Sequence, residues 1–214
     1  MNPKRSVDYF LVVAVLITVA NVILIWAYRF LPLYDYPMWL YEVHILKELS
    51  DPLFARNYEL LLVPVPNLGL VGPVWILHLF LPLEIAGKAF LTLCVVGLPW
   101  SFRFCVRSVS GKERSWAEYF AFPFSFGCFF FLGQGFLFGL GVLLLSMGYF
   151  LPRLDKSRSL LFLLSLDLLL LYFLHAIVFL LMIVVLMSNA LALRYSARSM
   201  MRLSSSSPRY SSII

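Results

Sequence analysis

One carboxylate, in the segment Leu31-Pro-Leu-Tyr-Asp-Tyr-Pro37, is the side chain of this sequence best suited to chemistry. Asp35 follows the first long apolar run and precedes a segment predicted to be a helix. An ionisable residue at the mouth of a bilayer is a functional-site hypothesis. Its carboxylate can act as a general base towards a hydroxyl or ligate a hard cation such as Mg²⁺, and the metal requirement stays open. The structural alternative is a helix cap, because Asp is a preferred N-cap residue.

The composition indicates what kind of protein positions this carboxylate. The chain is 62% hydrophobic and 13% charged, with a mean hydropathy of +0.90, which lies outside the usual range of soluble domains. The first apolar run, from about Tyr9 to Tyr28, is long enough at about 1.5 Å per residue to cross a hydrocarbon core of roughly 30 Å. The sequence therefore predicts a polytopic membrane protein.

Six membrane spans are predicted: the first run and the segments 85–104, 116–132, 133–151, 159–174 and 176–193. Each must satisfy its own backbone hydrogen bonds in lipid, so the predicted fold class is all-α. The apolar segment Pro66–Pro82 is short and rich in proline and glycine, and we expect it to be re-entrant or interfacial. The whole is predicted as one transmembrane domain over residues 1–203, with a long external first loop at 29–84 and a disordered Ser-rich tail at 204–214.

The basic residues orient these spans. If the amino terminus is inside and Pro66–Pro82 does not cross, the only basic residues outside are Arg29, Lys47, Arg56 and Lys88. This agrees with the positive-inside rule and predicts a plasma (inner) membrane protein with both termini cytoplasmic. A seven-span chain with its amino terminus outside fits about as well, but it requires translocation of Lys4 and Arg5. Because the basic residues lie at helix ends, the net charge of +6 reflects topology and does not indicate a nucleic-acid partner.

Two further polar residues are expected at the external rim beside Asp35. Gln134 lies between the third and fourth spans, and His175 lies between the fifth and sixth. For His175 the structural alternative is a polar residue that simply ends a span. The histidines show no HxH or HxxxH spacing, so a histidine metal site is not favoured.

Two other features carry predictions. From Met38 to Leu49, apolar residues recur at spacings of three, which predicts an amphipathic helix along the membrane surface. Asp167 lies in the middle of a predicted span, where a charged Asp costs about 2.5–3.5 kcal/mol, so it should face the bundle. We expect a hydrogen bond to another helix there, and a proton relay is the alternative.

The arrangement resembles the amino-terminal part of GT-C superfamily glycosyltransferases, multi-pass enzymes that use polyprenyl-phosphate sugars. The resemblance covers roughly residues 1–193 and rests on short motifs: Asp35-Tyr36-Pro37 with the following helix, Leu81-Pro-Leu-Glu-Ile-Ala-Gly-Lys88, Phe129-Phe-Phe-Leu-Gly-Gln-Gly-Phe-Leu-Phe-Gly139 and Leu174-His175. Family members often continue the aspartate motif with histidine and arginine, where this chain has Trp39 and Glu42, and they are usually longer. The chain is therefore similar to a truncated or degenerate member.

The resemblance implies a function and a set of residues. Asp35 would be the catalytic base, with Arg56, Lys88, Gln134 and His175 as substrate-binding residues, and the partners would be membrane lipid and a polyprenyl-phosphate sugar. Arginine suits phosphate through its planar bidentate fork. Two alternatives stay open: a transporter or channel component in which Asp167 and His175 line a polar path, and a non-catalytic, truncated membrane subunit.

Overall fold

The computed structural model describes residues 8–31, 33, 35–60, 63–113, 115–126, 133–154 and 158–206, and this part of the chain contains helices and no β-strand. Nine α-helices are described in these ranges: α1 (Tyr9–Ala27), α2 (Tyr36–Lys47), α3 (Pro52–Ala55), α4 (Val71–His78), α5 (Leu83–Ser110), α6 (Ala121–Phe126), α7 (Gln134–Phe150), α8 (Arg158–Leu174) and α9 (Ala176–Ser206). Two 3₁₀ segments, Trp116–Phe120 and Leu151–Arg153, precede α6 and follow α7. The predicted all-helical class is confirmed for these residues.

Four helical segments are long and apolar enough to cross a membrane: Tyr9–Ala27, Leu83–Ser110, Gln134–Arg153 and Ala176–Tyr195. They coincide with four of the six predicted spans. The predicted fifth span, 159–174, corresponds to Ser159–Leu174 in α8, which is apolar but shorter than the other four segments. For the predicted span 116–132, the structure has a 3₁₀ segment and α6, and residues 127–132 lie outside the described ranges. Six spans therefore stay a prediction.

By its internal contacts the chain divides into two compact units, Met1–Phe179 and Leu180–Ile214. In the second unit, residues 180–206 continue α9, so the helix includes the first three residues of the predicted tail. Residues 207–214 of that tail lie outside the described ranges. Helices α1 to α8 and the first four residues of α9 lie in the first unit.

Helices α1 and α5 pack antiparallel. At one end, the Lys88 ammonium donates to the carbonyl of Tyr28 at 2.7 Å, and Trp26 Nε1 donates to Thr92 Oγ1 at 3.0 Å. At the other end, Arg103 of α5 pairs with Asp8 at the start of α1. The end of α1 and the start of α5 therefore share one end of the bundle, which we call the Lys88 end.

Helices α5 and α7 run parallel. The rings of Phe90 and Phe138 lie 5.3 Å apart near the start of each helix. Near their other ends, the backbone at Gly148 approaches Phe104 so closely that a Cβ on Gly148 would lie 2.7 Å from the Phe104 ring. Two successive long helices that point the same way require the chain between them to return to the Lys88 end.

Helix α8 runs back against α7. Asp167 of α8 accepts a hydrogen bond from Ser146 near the middle of the pair, and the His175 ring lies 5.3 Å from Phe136 at the start of α7. The α8–α9 junction therefore lies at the Lys88 end, together with the start of α7.

The proline- and glycine-rich segment Pro66–Pro82 lies at the Lys88 end. Its helix, α4, has eight residues and rises only about 12 Å, less than half of a hydrocarbon core. Before α4, Gly69 N–H donates to the Leu174 carbonyl at 3.0 Å, and after it α5 begins at the same end. The segment Pro66–Pro82 therefore begins and ends at the Lys88 end.

Helix α2 is packed on protein. Val43 of α2, Val74 of α4 and Phe90 of α5 are fully buried in one apolar core. Gly87 leaves room for the Tyr36 hydroxyl, since a Cβ there would lie 2.2 Å from that oxygen. The helix predicted to lie on the membrane surface is therefore fixed in orientation by α4 and α5, and so is Asp35 at its start.

Candidate functional site

A small cavity of about 100 Å³ lies at the Lys88 end. We call it the Asp35 cavity. Its lining comes from four separate parts of the chain: Asp35 and Trp39 at the start of α2, Asn67 and Leu70 before α4, Gly133, Gly135 and Phe136 at the start of α7, and His175 between α8 and α9. Two of the residues singled out from sequence, Asp35 and His175, are thus brought together although 140 positions separate them.

The Asp35 carboxylate is not used as a helix cap. Asp35 occupies the N-cap position of α2, but its side chain makes no capping hydrogen bond. Its backbone carbonyl accepts from Trp39 N–H at 3.1 Å. The side chain is half-buried and has no hydrogen bond or ion pair among the described residues. The structural alternative offered by the sequence, a capping role, is therefore not the geometry observed, and both carboxylate oxygens remain open to a ligand.

His175 contributes a neutral imidazole to the same cavity. Its Nδ1 accepts from the backbone N–H of Ile177 at 3.3 Å, which assigns the ring proton to Nε2. Burial lowers the pKa of His175 below its usual value, because desolvation disfavours the imidazolium. At neutral pH the ring therefore offers one N–H donor.

Gln134 reaches the same end of the bundle but stands behind the cavity wall. It is the first residue of α7 and is only 1% exposed. Its amide nitrogen and oxygen have no hydrogen-bond partner among the described residues, while its neighbours Gly133 and Gly135 line the cavity. A buried amide without partners is costly, but Gln134 does not itself line the Asp35 cavity, so its substrate-binding role stays a prediction.

Asn67 is a cavity residue that sequence reasoning missed. It has a positive φ of 72°, which Asn tolerates better than most residues. Its Oδ1 accepts from Ala176 N–H at 3.2 Å, so it caps α9 directly after His175. The signal available in the sequence was Pro66-Asn67-Leu68-Gly69, a cluster of turn-forming residues inside an apolar segment.

The backbone beside Asn67 is tied to the end of α8. Leu68 N–H donates to the Phe173 carbonyl at 2.7 Å, and Gly69 N–H donates to the Leu174 carbonyl at 3.0 Å. These bonds satisfy carbonyls that a helix end otherwise leaves without partners. They also hold Asn67 and His175 on one wall of the cavity.

Lys88 lines a second cavity, on another side of α2. This basic cavity measures about 220 Å³ and is lined by Arg29, Phe30, Leu31, Tyr36, Pro37, Leu40, Glu84 and Lys88. The Lys88 ammonium also lies 5.8 Å from the centre of the Trp26 ring, and Arg29 lies 3.6 Å from Glu84 in an exposed ion pair. Arg56 is exposed at the carboxyl end of α3 and lines none of the cavities described here, so its role stays a prediction.

A third cavity, the largest of the three, adjoins the Asp35 cavity. This apolar cavity measures about 520 Å³ and is lined by Trp39, Glu42, Ile45, Leu46, Leu49, Tyr58, Glu59, Leu60, Val65, Pro66, Asn67, Leu68 and Val71. It shares Trp39 and Asn67 with the Asp35 cavity.

An ion cluster at the opposite end was also missed from sequence. Arg103 is 8% exposed and Glu118 is 2% exposed. Arg103 pairs with Asp8 and with Glu118, where the Nε to Oε2 distance is 3.1 Å without hydrogen-bond geometry. Arg107 adds a two-pronged contact to Glu118 at 2.9 and 3.3 Å. Because two cations meet two anions, the cluster is neutral and ties α1 and the Trp116–Phe120 segment to α5.

Among the described residues, no three His, Cys, Asp or Glu side chains come together as a metal site requires. No protein-family model, curated protein or solved structure matches the chain.

Proposed function

We propose that the chain is a membrane-embedded glycosyltransferase of the GT-C kind, which transfers a sugar from a polyprenyl-phosphate donor at the external face. The observation that carries this proposal is the Asp35 carboxylate, which is uncapped and lines one cavity with His175 and Asn67. A half-buried carboxylate without a partner is suited to proton transfer once a hydroxyl is bound beside it.

In this reaction Asp35 takes the proton of the acceptor hydroxyl. The acceptor oxygen forms a bond to the anomeric carbon, and the bond from that carbon to the phosphate oxygen breaks, releasing the polyprenyl phosphate. The Nε2–H of His175 and the amide of Asn67 supply hydrogen-bond donors that orient the substrate. Lys88 and Arg29, in the basic cavity, bind the donor phosphate.

The proposed topology has six spans, with both termini in the cytoplasm and the Lys88 end outside. The parallel orientation of α5 and α7 supports it, because the chain between them must then cross the membrane once. The ion cluster at the far end, with Arg103 and Arg107, fits the side that holds most basic residues. To test this orientation, Ser50 is replaced by cysteine and intact cells are treated with a membrane-impermeant thiol reagent. We expect the cysteine to be labelled from outside, and a cysteine that is not labelled contradicts this orientation.

Sugar transfer in membrane vesicles tests the function. Radiolabelled polyprenyl-phosphate hexoses are added one at a time to vesicles that contain the full chain. The radioactivity transferred from the donor to other molecules is then measured. Loss of a general base lowers the rate by about 10²–10⁴-fold, which is the expected effect of Asp35→Asn. The matched control is Glu48→Gln, a carboxylate just beyond the other end of the same helix, which should transfer as the unchanged chain does. Equal transfer by Asp35→Asn and the unchanged chain would refute the proposal.

The transporter alternative has less support. Asp167 accepts a hydrogen bond from Ser146 at 2.7 Å and lines none of the three cavities, whereas His175 lies at the Lys88 end. A shared polar path through both residues therefore has no counterpart in the described geometry. Loss of proton-coupled flux in Asp167→Asn would favour the transporter. For a non-catalytic subunit, the expected finding is that the purified chain binds no polyprenyl-phosphate sugar.

A further inference from the structure

The apolar cavity differs from the basic cavity in the charge of its walls. It holds two carboxylates, Glu42 and Glu59, and no lysine or arginine among its described lining residues. The basic cavity holds two cations, Arg29 and Lys88, and one carboxylate, Glu84, which lies 3.6 Å from Arg29, so its walls keep an excess of one positive charge. An anionic head group is therefore attracted to one cavity and repelled by the other.

Helix α2 separates the two cavities. Pro37 and Leu40 face the basic cavity, while Leu46 and Leu49 face the apolar one. Burial raises the pKa of Glu42, because desolvation favours the neutral carboxyl. The Glu42 carboxyl therefore binds a proton more readily than an exposed glutamate does, in a wall that holds no lysine or arginine among its described residues.

The size of the apolar cavity suits a chain. A water molecule takes up about 30 Å³ of the liquid, so 520 Å³ exceeds what an ion or one or two waters need. Most lining residues are aliphatic or aromatic, so a hydrocarbon chain that enters the cavity meets side chains about as apolar as the lipid it leaves. At one border, Trp39 and Asn67 also line the Asp35 cavity.

We propose that the apolar cavity binds the hydrocarbon chain of an uncharged lipid alcohol, with its hydroxyl directed past Trp39 and Asn67 to Asp35. The role of this alcohol as the sugar acceptor rests on the proposed function, whereas its binding does not. The donor phosphate and the hydrocarbon chain of the acceptor are then bound in different cavities, and the sugar of the donor meets the acceptor hydroxyl at Asp35.

Photolabelling of the full chain in lipid nanodiscs tests the site. The three probes carry the same diazirine-bearing alkyl chain and differ in the head group: an alcohol, a phosphate and a trimethylammonium. Labelling of peptides from residues 39–71 is divided by labelling of α1, whose exposed apolar side chains report random contact with lipid. We expect this ratio to be about tenfold higher for the alcohol than for the phosphate.

Two tryptophan substitutions on α2 provide a matched pair. Leu46 lines the cavity and is 36% exposed, whereas Met38 is 51% exposed and lies outside it. Leu46→Trp fills the cavity and should reduce the alcohol ratio to that of the phosphate, and Met38→Trp should leave it unchanged. Equal ratios for alcohol and phosphate, a higher ratio for the ammonium, or full labelling of Leu46→Trp would each overturn the proposal.

The two proposals fail in different ways. Asp35→Asn should abolish transfer but keep the alcohol labelling, because the asparagine amide still accepts a hydrogen bond from the hydroxyl and the labelled alkyl chain lies in the apolar cavity, which Asp35 does not line. If the alcohol probe labels the chain selectively but no sugar transfer is found, the lipid-alcohol site is supported and the proposed function is refuted. If sugar transfer depends on Asp35 but the alcohol probe does not label the chain selectively, only the proposal of a lipid-alcohol site is refuted.

Discussion

Gly69 is the position at which a single methyl group should disrupt the candidate site. A Cβ added there would lie 2.6 Å from the Leu174 carbonyl oxygen and 2.9 Å from that of Gly135. Both neighbours are backbone atoms, so neither can rotate away. Gly69→Ala therefore has to push the segment before α4 away from the ends of α7 and α8.

The cost follows from the contacts that the shift breaks. Overpacking typically costs 1–3 kcal/mol, here about 2. The hydrogen bonds from Leu68 and Gly69 to the end of α8 contribute about 1 kcal/mol each. We expect Gly69→Ala to lower the free energy of unfolding by about 2–4 kcal/mol, and to enlarge or open the Asp35 cavity, since Asn67 is displaced.

The matched control is three residues further along the chain. Gly72 lies inside α4 and has nothing within 4 Å of its added Cβ. Gly72→Ala should change the free energy of unfolding much less than Gly69→Ala does, because its Cβ meets nothing beyond its chain neighbours and the helix preference of alanine is offset by strain against Pro73. Both variants are unfolded by increasing the fraction of sodium dodecyl sulfate in mixed micelles, followed by circular dichroism. If Gly69→Ala is as stable as the unchanged chain, or if both variants lose equal stability, the close approach at Gly69 is not what holds the site together.

Three other predictions concern the rest of the bundle. Arg103→Met should cost about 3–5 kcal/mol by leaving Glu118 buried with less compensation, measured by the same titration, and equal stability would contradict the ion cluster. The hydrogen bond from Arg103 lowers the pKa of Asp8. The ionised Asp8 carboxylate therefore stabilises the fold fully above the ordinary aspartate pKa, and this stabilisation is lost as the pH falls through the lowered pKa of the folded state. The decrease in the free energy of unfolding between about pH 6 and 2 should therefore be smaller in Asp8→Asn than in the unchanged chain. Ser146→Ala should cost about 1–2 kcal/mol by removing the bond to Asp167, and no change would mean that this bond is replaced.

The six apolar runs illustrate how far local sequence determines this fold. A long apolar segment has few alternatives to a helix, since backbone groups cannot be left without partners in lipid. The predicted bounds of the first, fourth and fifth runs therefore lie within one residue of those of α1, α7 and α8, whereas α5 and α9 extend 6 and 13 residues beyond the predicted ends of the second and last runs. The eight-residue helix α4 agrees with the expectation that Pro66–Pro82 is too short to cross, because its prolines and glycines interrupt any longer helix.

The sequence by itself determined that the protein is helical and apolar, and it singled out Asp35, Gln134 and His175 as polar residues at the breaks between apolar runs. Only the tertiary structure decided which of them share a cavity. The polarity of a residue is a local property, but Asp35 meets His175 because Gly69 bonds to the end of α8 and Asn67 bonds to the start of α9, contacts between positions more than 100 residues apart. The same packing left Gln134 behind the wall, put Lys88 on another side of α2, and paired Arg103 with Asp8 and Glu118. Such pairings depend on helix orientation, which periodicity and composition do not encode.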